Sequence, residues 1–536
     1  MEEGTVKVSK AGRQGSSAAL TILAIGVFMG GLDNGIMSSA LTTLIHSFNV
    51  SASWGAWMIT IYTLGLAVSV PIMAKLSDRY GRKRMFLISV VLFGLGSMSV
   101  ALSHNFTLLL ISRVLQSLGG GGIFPIANGY VVATVPVERQ GRALGMIGGM
   151  NGIAAILGPN IGSLLLGLTN DWHWLFWINV PIALLLVIFG ARSIPESKAP
   201  TKGRLDTLGI ILLSVGMLGL MYGLTNLKGT NLLTSLVTPQ VYGFVAAGVV
   251  LLIIFLWYES AIDQRGDDPL IPMSLLRPEL RWTLAIGLAS GLLLSSVIFL
   301  PAFVQMFLGW PASQAGYWYT PMALFSGVGA MGGGAFMDKR GPITTLMFGF
   351  VTAAIGSALF PLWVTTTWQM VIASSLVGLG IGITLGAPLN FMITERVPDN
   401  KSTALGILSL VREVGLTLGP TIFSGFLTRS MSQFPQEIVK NLGAIGISPS
   451  QVPSSELARM QGVQSFGDLA GQIHQIPNVP IQNAILKALH DVSSRGFGHL
   501  YWAAFVIAVV SIVFILLAGM YRRRSASNAG TLPAQS

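Results

Sequence analysis

Four charged residues stand inside long apolar stretches of the sequence: Asp33, Arg113, Arg412 and Glu413. A carboxylate near the middle of a membrane-spanning helix costs about 3 kcal/mol or more, so it needs a water-filled cavity or a partner. A desolvated carboxylate in such a cavity can exchange protons near neutral pH. We therefore expect Asp33 to be a site for a proton or a cationic substrate. The alternative is a structural hydrogen bond between Asp33 and the backbone.

Glu413 directly follows Arg412, and consecutive residues do not share one face of a helix. One of the two side chains can therefore face a cavity while the other pairs elsewhere. We expect Glu413 to contribute to the binding of cationic compounds or to proton coupling. The alternative is that Glu413 only neutralises an ion pair, and Arg412 is expected to be structural.

The composition indicates what kind of chain must position these residues. Of the 536 residues, 52% are hydrophobic and 10% are charged, whereas an average soluble domain carries about 25% charged residues. These proportions exclude a soluble enzyme, a disordered chain and a secreted disulfide scaffold. The chain has no cysteine, no clustered histidines and no Gly-Lys dipeptide, so we expect no metal site, no cofactor and no Walker A motif.

Fourteen apolar stretches are long enough to span a membrane, since a spanning helix needs about 20 mostly apolar residues. They lie near 18–43, 54–74, 85–103, 107–134, 141–168, 173–192, 205–226, 240–259, 281–308, 313–336, 343–364, 368–394, 402–428 and 498–521. Of the 32 lysines and arginines, 24 fall on the inner side when both termini are cytoplasmic. This bias sets the predicted orientation. It also explains the net charge of +11 without a nucleic-acid partner.

The sequence repeats itself at an offset of 260 to 262 residues. The segment 74–81 recurs at 334–341, and the segment 135–159 recurs at 397–420. An even number of predicted helices separates the two copies of the first segment, so both copies face the cytoplasm. Such a parallel repeat is typical of transporters built from two six-helix halves.

Two six-helix halves use twelve of the fourteen stretches, so the remaining pair must lie between them. We predict an all-α integral membrane fold with a cytoplasmic tail over 1–17, a six-helix bundle over 18–192, two linker helices over 193–280, a second six-helix bundle over 281–521 and a cytoplasmic tail over 522–536. The polar segment 430–497 would form a cap or hairpin on the outer side. A loosely structured loop is the alternative for this segment.

These motifs resemble the major facilitator superfamily, in particular its drug:proton antiporters with fourteen spanning helices. The segment 74–83 follows the superfamily pattern Gly-x-Leu-x-Asp-Arg-x-Gly-Arg-Lys in all but the first position. The segment 113–117 is similar to the family's Arg-x-x-Gln-Gly, and the segment 158–163 to its antiporter motif Gly-Pro-x-x-Gly-Gly. Both of these end in Ser where the family has Gly. The resemblance covers nearly the whole chain.

The resemblance implies a coupling role for Arg113 and a sealing role for the antiporter motif. Arg113 would link proton binding to transport; a packing contact with backbone carbonyls is the alternative. The motif residues Gly158, Pro159 and Gly162 would bend the fifth helix and prevent proton leak. A purely structural packing groove is the alternative for these three residues.

The resemblance also implies a cytoplasmic gate in the loop after the second helix. Its expected members are Asp78, Arg79, Gly81, Arg82 and the repeat-related Asp338. Gly81 would let the loop turn tightly. Asp78 would cap the third helix or pair with a basic neighbour. The alternative is a loop whose basic residues only set the orientation of the chain.

The residues and the resemblance together predict a proton-coupled secondary transporter, not an enzyme, in the bacterial plasma membrane. It would act as a monomer and export lipophilic, often cationic, drugs by alternating access, with protons, small lipophilic molecules and membrane lipids as its partners. Two alternatives stay open: an exporter of a physiological solute or lipid, and a non-transporting receptor or assembly factor. The charges inside the predicted helices argue against the last of these.

Overall fold

The structure is a computed structural model that describes residues 10–50, 52–198, 206–227, 232–265, 267–276, 278–310, 316–395, 397, 401–447, 473, 476 and 478–529. The first part of the chain forms the helices α1 Lys10–Ser47, α2 Ala52–Tyr80, α3 Arg82–Ala101, α4 Phe106–Thr134, α5 Val137–Thr169, α6 Trp174–Trp177 and α7 Asn179–Ser193. The middle forms α8 Thr207–Thr225, α9 Leu232–Leu236 and α10 Pro239–Gln264. The last part forms α11 Pro278–Ser295, α12 Leu300–Met306, α13 Tyr319–Arg340, α14 Pro342–Leu362, α15 Thr367–Leu385, α16 Ala387–Thr394, α17 Lys401–Met431, α18 Phe434–Ala444 and α19 Val479–Ala529.

Helices coincide with all fourteen of the predicted apolar stretches. By length and composition, 12 helices of the described chain can cross a membrane, or 13 if the two arms of the bent α5 count as one span. Helix α13 lies outside this count, because its run of glycines lowers its hydropathy. The number fourteen, the cytoplasmic termini and the domain boundaries therefore stay predictions.

The two halves of the chain repeat one packing pattern. In the first half α1 packs against α5, and α4 packs against both α2 and α3. In the second half α11 packs against α17, and α15 packs against both α13 and α14. The sequence repeat is therefore also a repeat of helix packing, as expected for two bundles of the same design.

The halves meet through two equivalent helix pairs, α5 with α13 and α2 with α17. Glycines allow the close approach in both pairs. A Cβ atom on Gly145 of α5 would lie 2.4 Å from the carbonyl oxygen of Ala330 in α13. A Cβ atom on Gly406 of α17 would lie 2.7 Å from that of Ala74 in α2. Small residues at a helix interface permit such contacts in lipid.

The linker helices lie at the side of this assembly. Helices α8 and α10 pack against each other, and α8 also contacts α2 and α17. The free face of α10 is apolar and exposed, with Trp257 at 75% and Ile253 at 60% exposure. A face of this composition suits contact with lipid.

The outer segment contains helical structure at both of its ends. Helix α18 packs against α19, which extends inward from Val479. The apolar residues at helical spacing in this extension are buried: Ile481, Ile485, Leu489 and Val492. The part of the predicted cap or loop at 448–472 lies outside the described residues.

Candidate functional site

Asp33 and Arg113 form a buried ion pair between α1 and α4. Arg113 Nη1 donates to Asp33 Oδ2 at 2.8 Å, and the side chains are 1% and 0% exposed, respectively. Each charge alone would be costly at this position. A buried pair is tolerated only when its geometry is good and further hydrogen bonds satisfy its remaining atoms.

Neutral side chains supply those further bonds around Asp33. Gln116 Nε2 donates to Asp33 Oδ1 at 2.8 Å, and Asn179 Nδ2 lies 3.3 Å from the same oxygen. Gln116 Oε1 in turn accepts from Arg113 Nη1 at 2.7 Å. Ser97 Oγ accepts from Gln116 Nε2 at 2.6 Å. The Asp33 carboxylate is therefore held by an arginine and two amides.

Helix α2 closes the other side of Arg113. The guanidinium carbon lies 4.1 Å from the centre of the Tyr62 ring, a cation–π contact, and Nε donates to the Met58 carbonyl at 3.3 Å. Tyr62 thus packs directly on the arginine of the ion pair.

Glu413 lies on the face of α17 that meets the first half. Gly406 precedes it by two helical turns and packs against Ala74 of α2. Glu413 is half-buried, and its carboxylate forms no ion pair or hydrogen bond with another described residue. The structure therefore places Glu413 at the interface of the halves, with its negative charge uncompensated by a bonded cation.

The antiporter-motif residues lie against the helix that carries Asp33. Helix α5 bends by 41° between Ala154 and Leu157. Pro159 follows directly, and a proline removes the amide donor to the carbonyl four residues earlier, which explains the bend. A Cβ atom on Gly158 would lie 2.4 Å from the Cα of Gly35 in α1, and Gly162 is also buried.

Asp78 joins the first half to the start of α17. It forms a buried ion pair with Arg82, and its Oδ2 accepts from the Thr403 amide at 2.8 Å and the Thr403 hydroxyl at 3.1 Å. Arg82 Nε also donates to Ser402 Oγ at 3.0 Å. The predicted cap of the third helix is therefore wrong, because α3 begins directly after Gly81 and Asp78 reaches across the interface instead. The predicted pairing with a basic neighbour is present.

Asp338 makes the equivalent contact in the opposite direction. Its carboxylate accepts from the amides of Gly141 at 3.0 Å and Arg142 at 3.2 Å, near the start of α5. Partial desolvation raises the pKa of Asp338, although the two amides act in the opposite direction. Both acids lie in the last turn of a helix, and each helix is followed directly by a glycine with positive φ, Gly81 at 108° and Gly341 at 81°, a conformation that favours glycine. We name the Asp78 and Asp338 contacts the two latches.

A further acid joins the segment after the linker helices to the end of α2. Asp268 follows α10 and accepts from Lys75 Nζ at 2.6 Å and from Arg79 Nη1 at 3.3 Å. Lys75 is only 2% exposed and Asp268 11%. Arg79 was expected from the sequence as a gate residue, but its partner Asp268 was not. The two consecutive acids at 267–268 could have indicated a partner for the basic residues of 75–84. Ser97 and Asn179 were also missed as neighbours of Asp33, because short polar residues in helices carry no distinctive spacing.

Asp268→Asn should lower the stability of the protein while leaving the fold in place. The substitution leaves the buried Lys75 ammonium without its charged partner. We expect a loss of about 2–3 kcal/mol, somewhat below that for breaking a fully buried pair. The measurement is the melting temperature from intrinsic tryptophan fluorescence. Asp267→Asn is the matched control, since Asp267 is exposed, and equal melting temperatures for both variants would contradict the prediction.

Comparison with known proteins agrees with this architecture. Residues 23–420 match the family model described as Major Facilitator Superfamily. The chain is 52% identical over 513 residues to the uncharacterized MFS-type transporter YfiU of Bacillus subtilis strain 168, covering 94% of this chain and 97% of that protein. It is 29% identical to Multidrug resistance protein 3 of the same strain, covering 93% of this chain and 94% of that protein. Its fold is similar to that of the proton:xylose symporter XylE, with a TM-score of 0.57 at 12% identity over 94% of this chain and 96% of that chain.

Proposed function

The chain belongs to the major facilitator superfamily, and from that premise we propose that it exports lipophilic, often cationic, compounds in exchange for protons. The protein is a multi-pass transporter of the bacterial plasma membrane and not an enzyme. Relatives named multidrug resistance proteins support drugs as the exported class.

The buried ion pair of Asp33 and Arg113 is the observation that carries proton coupling. A carboxylate at 0% exposure, held by a charged donor and by amides, changes its bonding when it gains a proton. A proton entering from outside would neutralise Asp33 and release Arg113 Nη1 toward Gln116 and the Tyr62 ring. Protonation would thus be linked to a change in contacts among α1, α2 and α4.

The two latches support alternating access between the halves. Asp78 and Asp338 each bond a helix start of the opposite half, and both lie at the side predicted to be cytoplasmic. We take these bonds as the contacts that would hold that side closed. Substrate entry from the cytoplasm would require both latches to open. The ion pair of Asp33 and Arg113 could stay intact during this opening, or Asp33 could be protonated.

The test of this function is transport in everted membrane vesicles. An imposed proton gradient, acid inside, should drive accumulation of a lipophilic cationic dye, and the dye should in turn dissipate the gradient. Vesicles lacking the protein provide the baseline. Absence of both signals above that baseline would refute the antiport proposal while leaving the transporter fold intact.

Glu413→Gln should weaken the handling of cations without unfolding the protein. The half-buried carboxylate at the interface would no longer attract a positive substrate, and a charge-assisted contact contributes about 1.5–3 kcal/mol. We therefore expect the KM for a monocationic dye to rise about tenfold or more. Glu138→Gln is the control, since Glu138 is exposed at the start of α5. An unchanged KM in Glu413→Gln would remove Glu413 from the binding site.

A further inference from the structure

Arg412 carries a guanidinium group whose hydrogen-bonding capacity is not met within the described protein. Its Nε and Nη2 atoms are buried, and neither has a hydrogen-bond partner among the described residues. A buried cationic donor without an acceptor is costly, and such groups in native proteins call for an explanation.

The contrast with the other arginine inside the helices is direct. Arg113 bonds a carboxylate, an amide oxygen and a backbone carbonyl and also faces an aromatic ring. No ion pair joins Arg412 to Glu413, although both residues are described and adjacent in sequence. The two arginines therefore differ in their hydrogen bonding. The described protein supplies acceptors to Arg113 but none to Nε and Nη2 of Arg412.

The helix packed against the backbone of Arg412 is α11, and it meets that backbone through a glycine. Helix α11 presents Gly291 there, and a Cβ atom on Gly291 would lie 2.1 Å from the Arg412 carbonyl oxygen. The residues one turn away in either direction on α11 are Gly287 and Ser295, whose hydroxyl bonds the Leu292 carbonyl. The backbone of Arg412 is thus fixed by close packing, while Nε and Nη2 of its guanidinium group stay unbonded within the described chain.

Arg412 and Glu413 lie at one depth of α17 and point in different directions, since consecutive helical residues differ by about 100°. Glu413 lies on the face of α17 that packs against α2. The interface thus offers an unpaired cation and an unpaired anion side by side. One molecule that carries an acid and an amine could engage both.

We propose that Arg412 binds an acidic group of the transported compound, so that the substrate class includes zwitterionic aromatic molecules with a carboxylate and an amine. This inference rests on the proposed export function and names its substrate more closely. The planar guanidinium suits a carboxylate, because two parallel N–H groups can donate to its two oxygens. Glu413 takes the amine, and the aromatic body lies near Tyr62.

The experiment compares two dyes that differ only at the acid. Rhodamine B carries a free carboxylate and a cationic xanthene, and its ethyl ester keeps the cation alone. Fluorescence polarisation with the purified, detergent-solubilised protein measures the Kd of each dye for wild type, Arg412→Gln and Arg412→Lys. Arg429→Gln is the matched control, because Arg429 is exposed near the end of the same helix.

Arg412→Gln should raise the Kd of rhodamine B at least about tenfold, as expected for a lost charge-assisted bond, and leave that of the ester within about twofold. Arg412→Lys should retain part of the preference for the acid, which shows that the loss does not come from misfolding. Equal Kd values of rhodamine B for wild type and Arg412→Gln, or an equal loss for both dyes, would overturn the inference. Vesicles that fail to accumulate either dye while the Kd difference persists would instead contradict the export function alone.

Discussion

We expect Asp33→Asn to abolish proton-driven dye accumulation in everted vesicles, down to the level of vesicles without the protein. If Asp33 is the proposed proton site, the amide that replaces it cannot take up a proton, and the gradient can no longer drive transport. The substitution also leaves the Arg113 guanidinium buried without a counter-charge, which costs about 3–5 kcal/mol. Dye fluorescence in the vesicles and the melting temperature of the purified protein measure the two effects separately.

A double variant separates coupling from stability. Asp33→Asn combined with Arg113→Gln replaces a buried ion pair by two neutral amides, which is often nearly neutral for stability. We expect the melting temperature to recover and proton-driven accumulation to stay absent. If the double variant transports the dye against a gradient as wild type does, the pair is structural. Asp171→Asn, at an exposed outer carboxylate, serves as the control for loss of an acid.

We expect Gly141→Ala to weaken the Asp338 latch and thereby to slow the transport cycle. The added Cβ atom would lie 2.2 Å from Asp338 Oδ1 and 2.4 Å from the carbonyl oxygen of Gly334. The second of these is a backbone atom, which cannot move aside as a flexible side chain does. Overpacking of this kind costs about 1–3 kcal/mol, so we expect the latched conformation to lose about tenfold or more of its population.

Spin labels report this shift directly, because the chain contains no cysteine that would be labelled by accident. Arg139→Cys and Lys339→Cys place one label on each side of the Asp338 latch, and pulsed electron resonance measures the distance between them. Gly141→Ala should favour the longer distance and lower the maximal transport rate. Gly167→Ala adds the same atom to the same helix where nothing lies within 4 Å. Equal distance distributions in the two variants would contradict the prediction.

Most of the fold follows from patterns that sequence carries locally. Apolar stretches of sufficient length define helices, and the offset of 260 to 262 residues predicts that the halves pack alike. The number of membrane spans is harder to predict than the number of helices, and the reason is physical. The glycines of α13 that let α5 approach closely also reduce its hydropathy. A helix adapted to a protein interface can therefore fail a criterion based on transfer to lipid.

The site was predictable residue by residue but not as a set of contacts. Asp33 and Arg113 each attract attention as charges in apolar stretches, yet their pairing depends on how α1 and α4 are rotated against each other. Asp78 illustrates the same limit, because its partner across the interface, Thr403, lies 325 residues away. Arg412 was expected to be structural, and only the bonding of its nitrogens distinguishes it from Arg113.

The two latches have a consequence for how the halves recognise each other. Asp78 and Asp338 are separated by 260 residues. Each acid bonds two successive amides, Ser402 and Thr403 in one case and Gly141 and Arg142 in the other, and these are separated by 261. Each half offers a carboxylate to the amides of the other half and its own amides to the other half's carboxylate. This reciprocity is that of the isologous contact in a twofold dimer. A lone six-helix chain with one such acid and one such helix start would make both contacts with its own copy. Each half therefore carries both parts of the contact, one acid and one helix start. The covalent connection through α8 and α10 keeps the halves close together, while the matching contacts come from the halves themselves.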